Sequence, residues 1–215
     1  MAAWYTFLHL LLKHSMDVLV VGAGKLINAI LSLDSIPENC NILPWELFKA
    51  KESTDKAMPG LQMGVADTLP GSASFFKYAA SKGITVFYVT NREENEREGT
   101  LKNLRKFNFP NADAGHLLLK QHTSGTEARR QQVMKDYEVV LLLGDNLSDF
   151  TNLFDKQPED QRMSAANQQQ SNFGKNFIVL PNVSYGDWES SLYKFNNNLS
   201  PAEKERIIKA SLKGE

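Results

Sequence analysis

Two aspartates lie four residues apart, directly after a run of leucines that predicts a buried strand. Leu141–Leu143 leads into Gly144, where the backbone can turn, and Asp145 and Asp149 follow. Carboxylates at the carboxyl end of a parallel strand can point their oxygen atoms at one place, and Mg²⁺ prefers oxygen ligands. The pattern therefore predicts a magnesium site at Asp145 and Asp149. The alternative is a purely local turn, which Asp and Asn also favour.

A second set of polar residues follows another predicted strand. Residues 84–89 are rich in β-branched and aromatic side chains, and Thr90, Asn91 and Arg92 come next. A hydroxyl, an amide and a guanidinium at one strand end can bind phosphate, because the first two donate hydrogen bonds and arginine can fork onto two oxygens. Thr90 can instead be a simple helix cap, with Glu93 three residues later as its capping-box partner.

These strings occur together with others in an order that resembles a known family. The segments that carry the resemblance are 87–92, 127–131, 143–150, 177–182 and 185–189. They resemble the bacterial outer-membrane lipoprotein acid phosphatases, also called class C acid phosphatases or lipoprotein 5′-nucleotidases, of the haloacid dehalogenase superfamily. The resemblance runs from about Leu69 to the C-terminus, roughly two thirds of the 215 residues.

The resemblance implies an α/β fold. Its core is a Rossmann-like, haloacid dehalogenase-type parallel sheet flanked by helices, with a small helical cap or N-terminal extension. We expect residues 1–215 to form a single phosphatase domain, in which 67–215 is the well-matching core and 1–66 a poorly matching N-terminal segment. The implied site consists of four short motifs around one Mg²⁺ ion, and Asp145 and Asp149 are the fourth of them.

The first and third motifs of the family are altered in this sequence. The first is Asp-x-Asp, whose leading Asp attacks phosphorus and whose second Asp serves as acid and base. The best register places Ser32 at the nucleophile position and Asp34 at the second Asp, which would also be a metal ligand. In the third motif Thr126 stands where the family has a lysine that steadies the transferring phosphoryl group. Lys120 lies nearby in sequence and can replace that lysine only if the loop folds back.

The resemblance implies a magnesium-dependent acid phosphatase or 5′-nucleotidase that forms an aspartyl-phosphate. Its substrate would be a small phosphomonoester, typically a nucleoside monophosphate. Three explanations of the altered motifs stay open: an inactive relative that binds a phosphorylated ligand, an active enzyme whose first motif lies elsewhere, or a true polypeptide that differs from the printed 1–66. A different function, dinucleotide binding, is suggested by the strand-like Val18–Gly22 followed by Ala23 and Gly24.

The amino-acid composition limits the kinds of partner and the location that can be expected for this chain. The chain has 24 basic and 25 acidic residues, a net charge of -1, which argues against a nucleic-acid-binding face. Cys40 is the one cysteine, so no internal disulfide is possible. The apolar runs are too short for a transmembrane segment, and the first residues do not form a signal peptide. A periplasmic or outer-membrane location is implied by the resemblance alone, and the oligomeric state is not indicated.

Helical and strand patterns alternate after residue 70, which predicts a doubly wound sheet that positions these residues. The predicted helices are 72–82, 93–107, 127–137, 158–172 and one beginning at Ser200–Pro201, and the predicted strands are 84–89, 117–119, 138–143 and 176–180. Gly83 is expected to end the first helix in a left-handed conformation. Tyr185 and Trp188 can either pack in the core or stack on a nucleobase.

Overall fold

The strands form one sheet in which every neighbouring pair is parallel. The computed structural model describes residues 68–123, 125–180, 186–196 and 198–211, and the backbone of 17–22. The strands are β1 Asp17–Gly22, β2 Thr85–Val89, β3 Leu117–Leu118, β4 Glu138–Gly144 and β5 Phe177–Val179. Their order in the sheet is β3-β2-β1-β4-β5, the order of a Rossmann-like fold.

Helices lie in the connections between the strands, and two more follow the last strand. The described ones are α1 Ser72–Ser81, α2 Arg97–Lys106, α3 Glu127–Val133, α4 Glu159–Gln168, α5 Asp187–Leu192 and α6 Pro201–Ser211. Among the described helices, none is both long and apolar enough to cross a bilayer. The predicted doubly wound α/β fold is thus confirmed, and Gly83 has the expected positive φ, +84°.

Helix boundaries differ from the predicted ones in places where side chains or tighter turns intervene. The helix expected from residue 93 begins with a 3₁₀ turn over Glu94–Glu96, and α2 starts only at Arg97. Glu93 caps that turn with Glu96 as its capping-box partner, so the alternative in which Thr90 is the helix cap and pairs with Glu93 is wrong. Helix α3 ends at Val133 because the backbone N–H groups of Lys135 and Asp136 donate to carbonyls three positions back, which tightens the chain into a turn.

Strand β1 occupies the centre of the sheet and pairs with both β2 and β4. Gly22 is in register with Val89, and Val21 is in register with Leu143. Strands β2 and β3 lie on one side of β1, and β4 and β5, which follow in the chain, lie on the other side. The crevice beyond the carboxyl ends of β1 and β4 is therefore the switch point at which such folds bind ligands.

Both faces of the sheet are covered by apolar side chains. Val86 and Tyr88 of β2 belong to one core, together with residues of α1 and α2 such as Phe76 and Leu104. Phe87, the residue between them, belongs to the opposite core with Val89, Val133, Leu142 and Phe150. Because successive strand residues point to opposite faces, this alternation buries β2 on both sides and fixes the direction in which its end points.

Candidate phosphate and metal site

The loop after β4 folds the carboxylate of Asp149 back onto the end of the strand. Asp149 Oδ2 accepts hydrogen bonds from the backbone N–H groups of Asp145 at 3.2 Å and Asn146 at 3.0 Å. A Cβ on Gly144 would lie 2.4 Å from Asp149 Cβ, closer than real atoms approach. Glycine at position 144 is therefore required by the close approach of Asp149, and its φ does not lie in the left-handed region that would itself favour glycine.

The electrostatics of this loop fit a cation. Burial raises the pKa of Asp149 to about 7, and the negative charge of Asp145 raises it as well. The two backbone N–H groups and Arg130 act in the opposite direction. Two neighbouring carboxylates that repel each other are a donor set whose charge a bound divalent cation would neutralise.

The predicted third carboxylate lies outside the described residues, as does the altered nucleophile position. Within the part of the chain that the structure describes, no group of three or more His, Cys, Asp and Glu side chains is arranged to hold a metal ion. The segment with Ser32 and Asp34 is outside that part, and the strand at the centre of the sheet is Asp17–Gly22. The roles of Ser32 and Asp34 stay predictions.

The loop after β2 presents Thr90 and Asn91 at the same edge of the sheet. Thr90 is buried, and its backbone N–H donates to Leu118 O at 3.0 Å. Its Oγ1 accepts a long hydrogen bond, 3.4 Å, from the backbone N–H of Arg92, so the hydroxyl proton can still be donated elsewhere. Asn91 is exposed. Both residues therefore offer donor groups beyond the end of β2.

The guanidinium of Arg92 contacts helix α2. Arg92 is buried, and its Nη1 donates to Thr100 Oγ1 at 2.9 Å. Its carbonyl oxygen accepts from the backbone N–H of Lys120 at 3.0 Å. Lys120 Nζ in turn donates to Glu93 Oε1 at 2.6 Å, which places Lys120 beside this loop. Arg92 thus anchors the loop after β2 to its neighbours, and its predicted contact with phosphate stays a prediction.

Thr126, at the position where the resemblance implies a lysine, joins α3 to the loop after β4 that carries Asp145 and Asp149. Its Oγ1 donates to Ser148 O at 3.1 Å and accepts from Arg130 Nη1 at 2.5 Å. Arg130 is buried, and its Nη1 also donates to Asp149 O at 2.7 Å. Thr126 therefore contributes a hydrogen bond to this junction but no charge.

Arg129 joins the loop after β2 to the start of α3. It is buried, its Nη1 donates to Thr90 O, and its Nη2 donates to Asn91 Oδ1 at 2.6 Å and to Gly125 O at 3.1 Å. Burial lowers its pKa, whereas the charge of Asp149 raises it. Arg129 therefore lies between the loop that carries Thr90 and the loop that carries Asp149.

Sequence reasoning assigned no role to Arg129 or Arg130, although both lie in a string that carries the family resemblance. Adjacent arginines on a short helix read equally well as a solvated basic surface. One available signal is Val133, an apolar residue four positions after Arg129, which marks the inward side of the helix.

Comparisons with known proteins identify the family to which this chain is similar. The family described as HAD superfamily, subfamily IIIB (acid phosphatase), matches residues 47–188. The class C acid phosphatase from Bacillus anthracis is 33% identical, with a TM-score of 0.81, and the match covers 100% of this chain and 91% of that one. A structure of the Bacillus anthracis enzyme with tungstate bound is 32% identical, with a TM-score of 0.77 and the same coverage.

Proposed function

This chain belongs to the acid phosphatases of haloacid dehalogenase subfamily IIIB, and from that premise we propose that it hydrolyses small phosphomonoesters with the help of Mg²⁺. The proposal includes Asp145 and Asp149 as magnesium ligands and Thr90 and Asn91 as donors to the phosphoryl group. Magnesium, when bound, would neutralise charge that develops on the transferring group. Dinucleotide binding finds no support in this family.

One observation carries the proposal: two buried arginines of α3 join the loop after β2, here called the phosphate loop because it carries Thr90 and Asn91, to the acidic loop after β4, which carries Asp145 and Asp149. Arg129 donates to the Thr90–Asn91 loop, and Arg130 donates to Ser148 O and Asp149 O. The carboxylates and the donors are thereby held at the edge where the fold binds ligands. A phosphate dianion placed between these loops would meet hydrogen-bond donors on one side and a carboxylate-bound cation on the other.

The residues that would perform covalent chemistry come from the N-terminal segment. We propose Asp34 as acid and base and as the third metal ligand, with Ser32 at the nucleophile position. A serine hydroxyl attacks poorly without an adjacent base, so an aspartyl-phosphate requires an aspartate from another position in this segment. Alanine substitution of each aspartate before residue 67 identifies that residue, because only its loss abolishes turnover while the protein stays folded.

The direct test is hydrolysis of p-nitrophenyl phosphate with Mg²⁺ and with excess EDTA, by the wild type and by Asp145→Asn. We expect metal-dependent turnover in the wild type and its loss in the variant, because the amide removes a charge from the cation site. The circular dichroism spectrum of the variant should stay that of the wild type, because the amide has nearly the size and shape of the carboxylate. Unchanged magnesium-dependent rates in Asp145→Asn would contradict the assignment.

A second candidate function is binding of a phosphorylated ligand without hydrolysis. Thr126 favours it, because an uncharged residue occupies the position of the lysine that the family uses on the phosphoryl group. The same assay distinguishes the two functions. No turnover by a wild-type protein that still binds inorganic phosphate supports the binding function.

We propose that the substrate is a nucleoside monophosphate and that the protein is located in the periplasm or at the outer membrane, as the family resemblance implies. Trp188 is 39% exposed at the start of α5 and can offer an aromatic face to a base. Trp188→Ala should raise KM for adenosine 5′-monophosphate and leave KM for phenyl phosphates nearly unchanged. Equal effects on both substrates would argue against base stacking. Cell fractionation with an antibody against the chain tests the location.

A further inference from the structure

The carboxamide of Asn91 has a fixed orientation because of its contact with Arg129. The Nη2 atom of Arg129 lies 2.6 Å from the Asn91 side chain. Arginine has only donors, so the amide atom that it contacts must be the oxygen. The nitrogen of the same amide then points away from Arg129. None of the described residues accepts a hydrogen bond from that nitrogen, and Asn91 is exposed.

Arg129 itself is held firmly enough to orient its neighbour. Its side chain is 3% exposed, and its two terminal nitrogens donate to Thr90 O, Asn91 Oδ1 and Gly125 O. A planar guanidinium that donates to three oxygens on two loops cannot rotate without breaking several hydrogen bonds. The orientation of Asn91 is consequently set by a buried group and not by solvent.

We propose that Arg129 is a positioning residue that holds Asn91 Nδ2 outward as a hydrogen-bond donor to the phosphoryl group of the substrate. The inference rests on the proposed function, because it requires a phosphate beside the Thr90–Asn91 loop. The inference assigns different roles to the two residues. Arg129 keeps its charge inside the protein, and Asn91 presents a neutral donor at the surface of the site.

The decisive variant is Asn91→Asp, because it separates the structural contact from the donor. The new carboxylate would pair with the buried guanidinium of Arg129 and keep the melting temperature at or above that of the wild type. It has no N–H group and carries a negative charge, so inorganic phosphate should bind at least about tenfold more weakly. Asn95→Asp is the matched control, since Asn95 is an exposed asparagine in the same connection and lies outside the site.

A double-mutant cycle tests whether Arg129 acts through Asn91. The dissociation constant of inorganic phosphate is measured by calorimetry, with Mg²⁺ present, for the wild type, Arg129→Lys, Asn91→Ala and the double variant. Arg129→Lys should weaken binding in the wild-type background and should do so by at least about threefold less in the Asn91→Ala background. A merely structural role for Arg129 would weaken binding equally in both backgrounds. If Arg129→Lys does not fold, the two Asn91 variants still show whether Asn91 supplies the donor, and wild-type phosphate affinity in both overturns the inference.

The outcomes separate this inference from the phosphatase proposal. Wild-type affinity for phosphate in Asn91→Asp, with turnover intact in the wild type, overturns the inference alone. A wild type that binds phosphate but has no metal-dependent turnover overturns the phosphatase proposal, and the Asn91 variants still test the inference. A wild type that does not bind phosphate overturns the inference, and it overturns the phosphatase proposal as well when metal-dependent turnover is also absent.

Discussion

Gly144 sets the position of the Asp149 carboxylate, and replacing it with alanine should show how much the site depends on that position. The added Cβ would fall 2.4 Å from Asp149 Cβ and 2.7 Å from its Oδ2, so the acidic loop must shift. We expect a loss of about 1–3 kcal/mol in the free energy of unfolding, as for other overpacked sites. Because misplacement by about 1 Å can reduce turnover about a hundredfold, kcat should fall far more than stability suggests.

Gly125→Ala is the control for that substitution. Its Cβ would meet its nearest atoms, in Asp155 and Thr123, at 3.9 Å, an ordinary contact distance. Urea denaturation and kcat on p-nitrophenyl phosphate measure the two effects. Similar losses in Gly125→Ala and Gly144→Ala would mean that glycine is needed near the site for reasons other than the approach of Asp149.

Thr126 provides a test of whether the missing lysine limits the rate. Thr126→Lys would restore an ammonium group at the position where the resemblance implies a lysine, and Thr126→Met would add similar length without charge. If the chain is a slow phosphatase, kcat should rise at least about tenfold in the lysine variant, since donors aimed at developing charge contribute that much or more. Equal rates in the lysine and methionine variants would show that charge at this position is not limiting.

At the scale of elements, helix α2 holds the phosphate loop through one buried hydroxyl. Thr100 Oγ1 accepts from Arg92 Nη1 at 2.9 Å and donates to Glu96 O at 2.8 Å. Thr100→Val keeps the shape but removes the acceptor, so the buried guanidinium loses a hydrogen bond. We expect the free energy of unfolding to fall by about 1–3 kcal/mol.

The matched control at this position is Thr100→Ser, which keeps the hydroxyl. Thermal unfolding should therefore place the serine variant between valine and the wild type, close to the wild type. Thr100→Val should also raise KM for phosphomonoesters, because Arg92 follows Thr90 and Asn91 directly in the chain. A valine variant as stable as the wild type would show that the hydrogen bond from Arg92 to Thr100 does not stabilise this loop.

The elements between residues 72 and 179 were largely predictable because their signals are local. Strand β2 combines β-branched and aromatic residues with burial on both faces, and α1 ends at a glycine with positive φ. The same holds for the two strand-end motifs at Thr90 and Asp145. Their position at one sheet edge follows from parallel strands, whereas the hydrogen bonds by which the buried arginines of α3 join them are tertiary contacts; the spacing of Val133 indicates only that Arg129 faces inward.

At the scale of the whole molecule, the least predictable feature is the strand at the centre of the sheet. The run Val18–Gly22 was recognised as strand-like, but its sequence suggested a dinucleotide-binding turn, and the best register for the first motif lay at 30–36. Strand β1 carries its one acidic residue, Asp17, at the amino end, so no carboxylate pattern marks it as the family's first strand. Its place between β2 and β4 is a property of long-range pairing.

Because the central strand belongs to the N-terminal segment, we expect this segment and the core to fold together, and proline substitution tests that expectation. Val20 is paired with Phe87 on one side and Leu142 on the other, so each of its backbone groups faces a neighbouring strand. Proline there removes a ladder hydrogen bond inside the sheet. We expect Val20→Pro to abolish the cooperative urea transition of the whole protein, followed by circular dichroism.

Val179→Pro is the matched control, because β5 is the last strand in the sheet order. Leu180 N donates to Gly144 O, so the N–H of Val179, one residue earlier, points away from β4. Val179 is also exposed, and proline is tolerated at such edge positions. The control should therefore keep a cooperative transition with a modestly lower midpoint. If Val20→Pro behaves like Val179→Pro, β1 does not hold the two halves of the sheet together, and the single-domain organisation proposed for residues 1–215 fails.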